Sequence, residues 1–158
     1  MIRIKTPQTR EEFKAYYDLR YRILRQPWAQ PRGTEKDDYE PLSHHFMAVD
    51  SESGEVVGVI KVYEKEPGTG CFSHMAVAGI RQRQGIGSML MDAVEEYSRK
   101  KGFKTLGCYS RLNTTLYFER AGYRIAGLPT HYFGTTQVVW MEKEVQERAL
   151  FDQQEYEA

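Results

Sequence analysis

Apolar positions alternate at the start of this chain, then fall at helical spacing, then alternate again. Ile2 and Ile4 alternate with Arg3 and Lys5, so residues 2–6 predict a short strand. Thr9-Arg10-Glu11-Glu12 has the form of a capping box, and Phe13, Tyr16, Tyr17, Arg20, Ile23 and Leu24 follow at helical spacing. A helix to about residue 25 is predicted, stopped by Pro27. Residues 26–42 are polar and broken by Pro27, Pro31, Gly33 and Pro41, which predicts a long loop. His45–Val49, Val56–Tyr63 and Cys71–Val77 then read as strands. Ser51–Gly54 and Pro67–Gly70 supply turns between them, giving an antiparallel meander.

The strongest periodicity comes next. Ile86, Met89, Leu90, Ala93, Val94 and Tyr97 form one apolar helical face. Arg99, Lys100 and Lys101 stand where the helix dipole favours cations, and Gly102 predicts the C-cap. Residues 103–110 return as a strand. Leu112–Ala121 predicts a short helix closed by Gly122, and Tyr123–Ala126 and Thr135–Glu142 predict late strands. Residues 143–158 are charged, with Val145, Leu150, Phe151 and Tyr156 as docking points on the same domain or across a homodimer. This order predicts an α/β fold, a mixed, mostly antiparallel sheet flanked by helices. The crossover through the 85–101 helix makes the strands at 71–77 and 103–110 parallel neighbours.

Composition narrows the partners. The 158 residues fit one domain spanning 1–158. Lys plus Arg and Asp plus Glu each number 22, and without a basic excess or stripe nucleic acid is not an expected partner. Cys71 and Cys108 form no C-x-x-C pair and read as two reduced thiols. No run approaches membrane-spanning length and the N-terminus has no apolar leader, so a cytoplasmic protein with no membrane partner is expected.

Val77 ends a strand, and Gln82-Arg83-Gln84-Gly85-Ile86-Gly87-Ser88 leads into the strongest helix. Glycines permit close approach of a ligand to the backbone. The first helix amides are unpaired and carry partial positive charge, which suits a pyrophosphate. Gly-x-Gly alone also fits a tight turn with no ligand, and spacing alone favours that reading. A P-loop needs Gly-Lys-Ser/Thr, whereas Gly87 is followed by Ser88-Met89. A Rossmann fingerprint needs a third Gly near Leu90 and an acid at the next strand's end, and residues 103–110 hold no acid.

Val77-Ala78-Gly79-Ile80-Arg81-Gln82-Arg83-Gln84-Gly85-Ile86-Gly87 resembles the coenzyme A-binding motif of the GNAT superfamily of N-acyltransferases, Gln/Arg-x-x-Gly-x-Gly/Ala. Ser110-Arg111-Leu112-Asn113, followed by Tyr117-Phe118-Glu119-Arg120-Ala121-Gly122-Tyr123, resembles that family's second signature at the matching spacing. Leu19–Pro27 is similar to a bacterial branch of small members. The resemblance implies a GNAT-like fold and acetyl-coenzyme A as cofactor. It implies transfer of the acetyl group to an amine of a small molecule or peptide by direct attack. Amides from Arg83 to Ser88 would hold the pyrophosphate. Met75, Ala76 and Val77 would pair with the pantetheine arm between two splayed strands. Gln82, Arg83, Gln84, Gly85, Ile86, Gly87, Ser88 and Asn113 complete the implied cofactor set, and Arg81 is a further phosphate candidate.

An amine acceptor has a lysine-like pKa of about 10.4 and must lose a proton to react. The Val77 N–H is the candidate oxyanion donor. The family often places a Tyr acid at the second residue of the aromatic pair, and here Phe118 stands there with Tyr117 before it. One helical step turns a side chain by about 100°, so Tyr117 is a candidate acid in a different direction. Cys71 stands near the place of the family's Glu base, and no acid lies between it and Val77. These two departures motivate an alternative, a non-catalytic acyl-CoA-binding regulatory module. His74 is a candidate base or an ordinary half-buried histidine. His44 and His45 point to opposite faces and are expected at the surface rather than on a metal. His131-Tyr132 is expected in a loop near the acceptor, and Asn113 is a candidate helix cap. The residues 26–43 loop and the Arg20/Tyr21/Arg22 cluster are expected to frame the acceptor pocket, with mixed charge from Lys36, Asp37 and Asp38.

Overall fold

The computed structural model describes residues 1–146; Leu150, Phe151 and Tyr156 lie outside the described residues. Strand β1 (Ile2–Lys5) leads to helix α1 (Arg10–Leu24), then β2 (His44–Asp50), β3 (Val56–Glu66) and β4 (Thr69–Val77). Helix α2 (Ile86–Lys101) is followed by β5 (Thr105–Arg111), α3 (Thr115–Arg120), β6 (Arg124–Ile125), β7 (Thr130–Phe133) and β8 (Thr136–Glu144). The strands form one sheet in the order β1-β2-β3-β4-β5-β8-β6, with β7 also on β8. Every pairing is antiparallel except β4 with β5. The expected mostly antiparallel α/β fold and the single parallel crossover are both present.

Local chemistry sets the helix ends. Thr9 Oγ1 accepts from the Glu12 amide and Glu12 Oε1 from the Thr9 amide, each at 3.1 Å, so both halves of the capping box form. Gly102 takes φ +82° after α2, and the Phe103 amide returns to the Ser98 carbonyl at 3.0 Å.

The sheet is covered on both faces. Alternate residues of β2 and β3 divide between two cores: Met47 and Val59 pack under α1 with Tyr16 and Leu19, while Ala48 and Ile60 pack under α2 with Ile86 and Leu90. Two-sided burial accounts for the unbroken apolar run in β3. Gly58 lets α2 approach, since a Cβ there would lie 2.9 Å from Ile86 Cγ2.

Several boundaries differ from the sequence pattern. Residues 26–42 contain short 3-10 turns at Gln26–Trp28 and Glu40–Leu42. The expected 112–121 helix is a 3-10 turn, Leu112–Thr114, followed by α3. His131 and Tyr132 lie on β7, hairpinned to β8, rather than in a loop. Polar residues on an edge hairpin carry little hydrophobic signal to distinguish the two. Among the described residues no helix is long and apolar enough to cross a membrane.

Candidate active site

Strands β4 and β5 pair only at Thr69–Cys71 with Thr105–Gly107. Beyond that point each follows a different partner, β4 staying on β3 as far as Val77 and β5 on β8 as far as Arg111. A bulge in β4 helps to separate them. Its register on β3 shifts between Val59 and Lys61, and His74 there has φ +55°. The gap opens into a cleft of about 690 Å³ lined by Cys71, His74, Met75, Ser110, Tyr117 and others.

Val77 presents its backbone to this gap. The Ala78 amide donates to Val57 O at 2.9 Å, so β3 takes the Ala78 peptide. Antiparallel alternation turns the N–H and C=O of the preceding residue the other way. In agreement, the Val77 carbonyl accepts from Gln82 Nε2 at 3.4 Å, and Gln82 thereby ties the loop to the strand end.

The loop after Val77 shapes the start of α2. Arg83 (φ +68°) and Gly85 (φ +79°) both adopt left-handed backbone. Gly85 is the N-cap, and among the described residues no side chain caps the helix. The amides of Ile86, Gly87 and Ser88 therefore have no intrahelical acceptor and carry the partial positive charge of the helix start, which is what an anion site requires. The Ile86 side chain is in the core, so its contribution there is its amide alone. Arg81 is engaged elsewhere, its Nη2 lying 2.5 Å from Asp50 Oδ2.

Tyr117 and Phe118 part as one helical step requires. Phe118 packs inward against Phe72 and Tyr123. Tyr117 faces the cleft, and a methyl on Gly87 would lie 2.9 Å from its hydroxyl. Burial raises the Tyr117 pKa, so it keeps its proton at neutral pH. Asn113 sits in the 3-10 turn and does not cap α3, whose N-cap is Thr114. The turn is held instead by Ser110 Oγ and Thr114 Oγ1 at 2.8 Å. Burial pushes the Cys71 thiol up to about 11 and Cys108 higher still, so both remain protonated thiols.

The structure also brings in Lys61 and Glu40, which the sequence pattern did not single out, and gives Arg20 a different place from the one expected. Lys61, fully buried on β3, contacts Asp37 Oδ1 and lies 2.9 Å from Glu40 Oε2. Arg20, also fully buried, donates to Glu40 Oε1 at 2.9 Å, to Glu35 O at 3.0 Å and to Tyr16 Oη at 2.7 Å. This network pins the 26–43 segment over α1 and β3. Arg20 thus clamps the segment from inside instead of framing a pocket, and exposed Arg22 pairs with Asp18. Burial alone would raise the Glu40 pKa; the Asp37 amide, Arg20 and Lys61 outweigh it and hold the carboxyl well below its ordinary range. A lone lysine inside the apolar run Val56–Tyr63 was the available signal, because a charge is rarely buried unless paired.

The clamp delivers Asp37 to the cleft. Its Oδ2 lies 3.9 Å from His74 Nδ1, which is 2.9 Å from Ser73 Oγ. Burial, with the charges of Arg20 and Lys61, lowers the His74 pKa to about 4, and Asp37 offsets only part of this. His45 is buried, in hydrogen-bond contact with Tyr16 Oη at 2.8 Å, a correction to its expected surface position. His44 stacks on Tyr97 on the other face.

A sequence model of the GNAT acetyltransferase family matches residues 13–123. The chain belongs to the GNAT family. Solved structures agree on the GNAT fold. An aminoglycoside 6'-N-acetyltransferase complexed with coenzyme A superposes with a TM-score of 0.76 at 18% identity, covering 94% of this chain and 98% of that one. The ribosomal-protein-S18-alanine N-acetyltransferase of Escherichia coli gives a TM-score of 0.72 at 17% identity, covering 93% and 96%. An acyl-CoA N-acyltransferase from Pseudomonas aeruginosa gives 0.74 at 15% identity, covering 90% and 98%.

Proposed function

We propose that this GNAT chain is an N-acetyltransferase that uses acetyl-coenzyme A and acetylates an amine of a small molecule or peptide. The observation that carries this reading is the gap between β4 and β5, which opens directly beside the uncapped start of α2. An extended strand edge for an amide-bearing arm and an amide cradle for a pyrophosphate lie next to each other. These features fit coenzyme A in shape and charge. Residues 1–158 are read as one such domain, working in the cytoplasm.

Bound acetyl-coenzyme A would supply a thioester carbonyl open to attack and a thiol leaving group. The amides from Arg83 to Ser88 would bind the pyrophosphate, with Gln82 and Gln84 shaping the loop. Met75, Ala76 and Val77 would line the arm, and Asn113, in the turn after β5, would approach it from the other side. The Val77 N–H is the donor for developing negative charge. Tyr117 holds a proton at Oη for the departing sulfur. Neutral His74, beside Asp37, offers a site for the proton lost by the amine. A thiol leaves readily, with a pKa of about 8.5 by analogy with cysteine, so Phe118 and Cys71 at the family positions do not preclude turnover.

Those same two residues support the second reading, a non-catalytic acyl-CoA-binding regulatory module. Thiol release from acetyl-coenzyme A, measured with amino acids, aminosugars, polyamines and peptide N-termini, separates the two. Amine-dependent release is expected. Thermal stabilisation by the cofactor with no release for any amine would leave the binding module.

A further inference from the structure

The acceptor side of the cleft holds two distinct groups of charged side chains. At one end Asp37 stands beside His74. At the other a side cavity of about 240 Å³ is lined by Arg25, Trp28, Tyr132 and Arg111. Arg25, Trp28, Tyr132 and Arg111 also border the main cleft, so the two spaces share a wall.

Arg25 and Arg111 both retain donors for a ligand. Arg25 uses Nε on Thr34 O (3.0 Å) and Nη1 on Leu24 O (3.1 Å), which fixes its guanidinium and leaves Nη2 without a protein acceptor among the described residues. Arg111 lies 5.8 Å from the Trp28 ring centre and has no protein acceptor among the described residues. Neither makes an ion pair there. Asp18 pairs with Arg22 and Arg32, Asp37 with Lys61, and Glu40 with Arg20 and Lys61. Buried Glu35 accepts from the Gly33 amide and forms no ion pair among the described residues, so neither cleft arginine has an acid in contact with it. A guanidinium held by its own backbone bonds is pre-organised for a planar or tetrahedral oxyanion.

We infer that the acceptor is a primary amine carrying its own anionic group, the amine placed at Asp37–His74 and the anion between Arg25 and Arg111. This rests on the acyltransferase reading above and names its substrate class. A carboxylate or phosphonate is drawn to the two arginines, and the amine at the other end of the molecule reaches His74 as the free base. Anchoring the anion also orients the molecule, so that only one end reaches the gap between β4 and β5. A plain alkylamine or a polyamine leaves the arginines unpaired and brings extra positive charge against them.

The test uses the intact chain and ω-amino acids from glycine to 6-aminohexanoate, each beside its carboxamide, with the matching aminoalkylphosphonates as a third arm. One length is expected to show kcat/KM higher for the anion than for its carboxamide by about 10- to 100-fold, the range of a charge-assisted hydrogen bond. The better of carboxylate and phosphonate identifies the anion. In Arg111→Gln that ratio should fall by about tenfold or more, with the KM for acetyl-coenzyme A unmoved. Carboxamides equal to the anions at every length would overturn the inference, as would a rise in the acetyl-coenzyme A KM in place of the ratio change. Calorimetric titration of the same compounds separates the two levels. If no amine is acetylated, the acyltransferase reading fails; anions binding where carboxamides do not still supports the polar pocket, and equal or absent binding overturns it.

Discussion

The Tyr117 hydroxyl stands over the α-carbon of Gly87, so that a methyl group there would lie 2.9 Å from it. This one relationship joins the two motifs that the sequence held apart, the glycine loop and the aromatic pair. It places the one tyrosine of that pair that faces the cleft against the first turn of α2.

Gly87→Ala tests the cradle. The residue is helical, and the methyl would meet the far end of the half-exposed Tyr117 side chain, with Met75 Sδ next at 4.0 Å, so a small shift of the phenol lets the fold survive. Stability should hold or rise by up to about 1 kcal/mol, because alanine is the better helix former. The new methyl stands over the exposed amides, however, and the KM for acetyl-coenzyme A should rise about tenfold, a cost of roughly 1.4 kcal/mol. Melting and initial-rate measurements check both halves, and an unchanged KM would remove this turn from the cofactor site.

Tyr117→Phe and Phe118→Tyr separate the pair. The Tyr117 hydroxyl has no hydrogen-bond partner among the described residues, so its loss should leave the melting temperature near that of the parent. The kcat should fall by about 100-fold if it is the general acid. An unchanged rate would take Tyr117 off the list of acids. Phe118→Tyr places a hydroxyl among Phe72 and Tyr123 and should cost about 1–3 kcal/mol in stability while turnover persists.

Lys61→Met removes a fully buried cation and leaves Asp37 and Glu40 facing Arg20 alone. Denaturant unfolding should show a loss of about 3 kcal/mol. Adding Glu40→Gln to the same chain should recover part of the loss, since the carboxylate left behind is then neutral. Independent, additive effects of the two substitutions would show that the residues do not act as one clamp.

The His74 pKa sits at about 4 against an ordinary 6.5. The folded state therefore binds fewer protons than the unfolded chain between those values, and stability must fall as pH drops from about 6.5 to 4. His44 and His45 are lowered as well and add to the same slope. His74→Gln should flatten the slope in this window, read from urea midpoints at successive pH values. An unaltered slope would mean that His74 is not buried in its neutral form.

Much of the fold was legible because period reports burial. The Ile86–Tyr97 stripe announced α2, and the Thr9–Glu12 box marked the start of α1. The glycine loop and aromatic pair were likewise readable as marks of the family, since each is a short contiguous segment. The edge strand β7 and the turn at Asn113 were not, because polar edges and short turns carry little hydrophobic contrast.

The acceptor side belongs to the tertiary structure. By itself the sequence determined the strands and helices, the glycine loop that opens α2 and the family of the chain, all of which are carried by short contiguous patterns. It did not determine that Lys61 and Arg20 would draw Asp37 to His74, or that Arg25 and Arg111 would meet across one cavity. Those contacts span long stretches of chain, and charges of either sign look alike on a sequence until folding decides which are buried together and which are left facing a cleft.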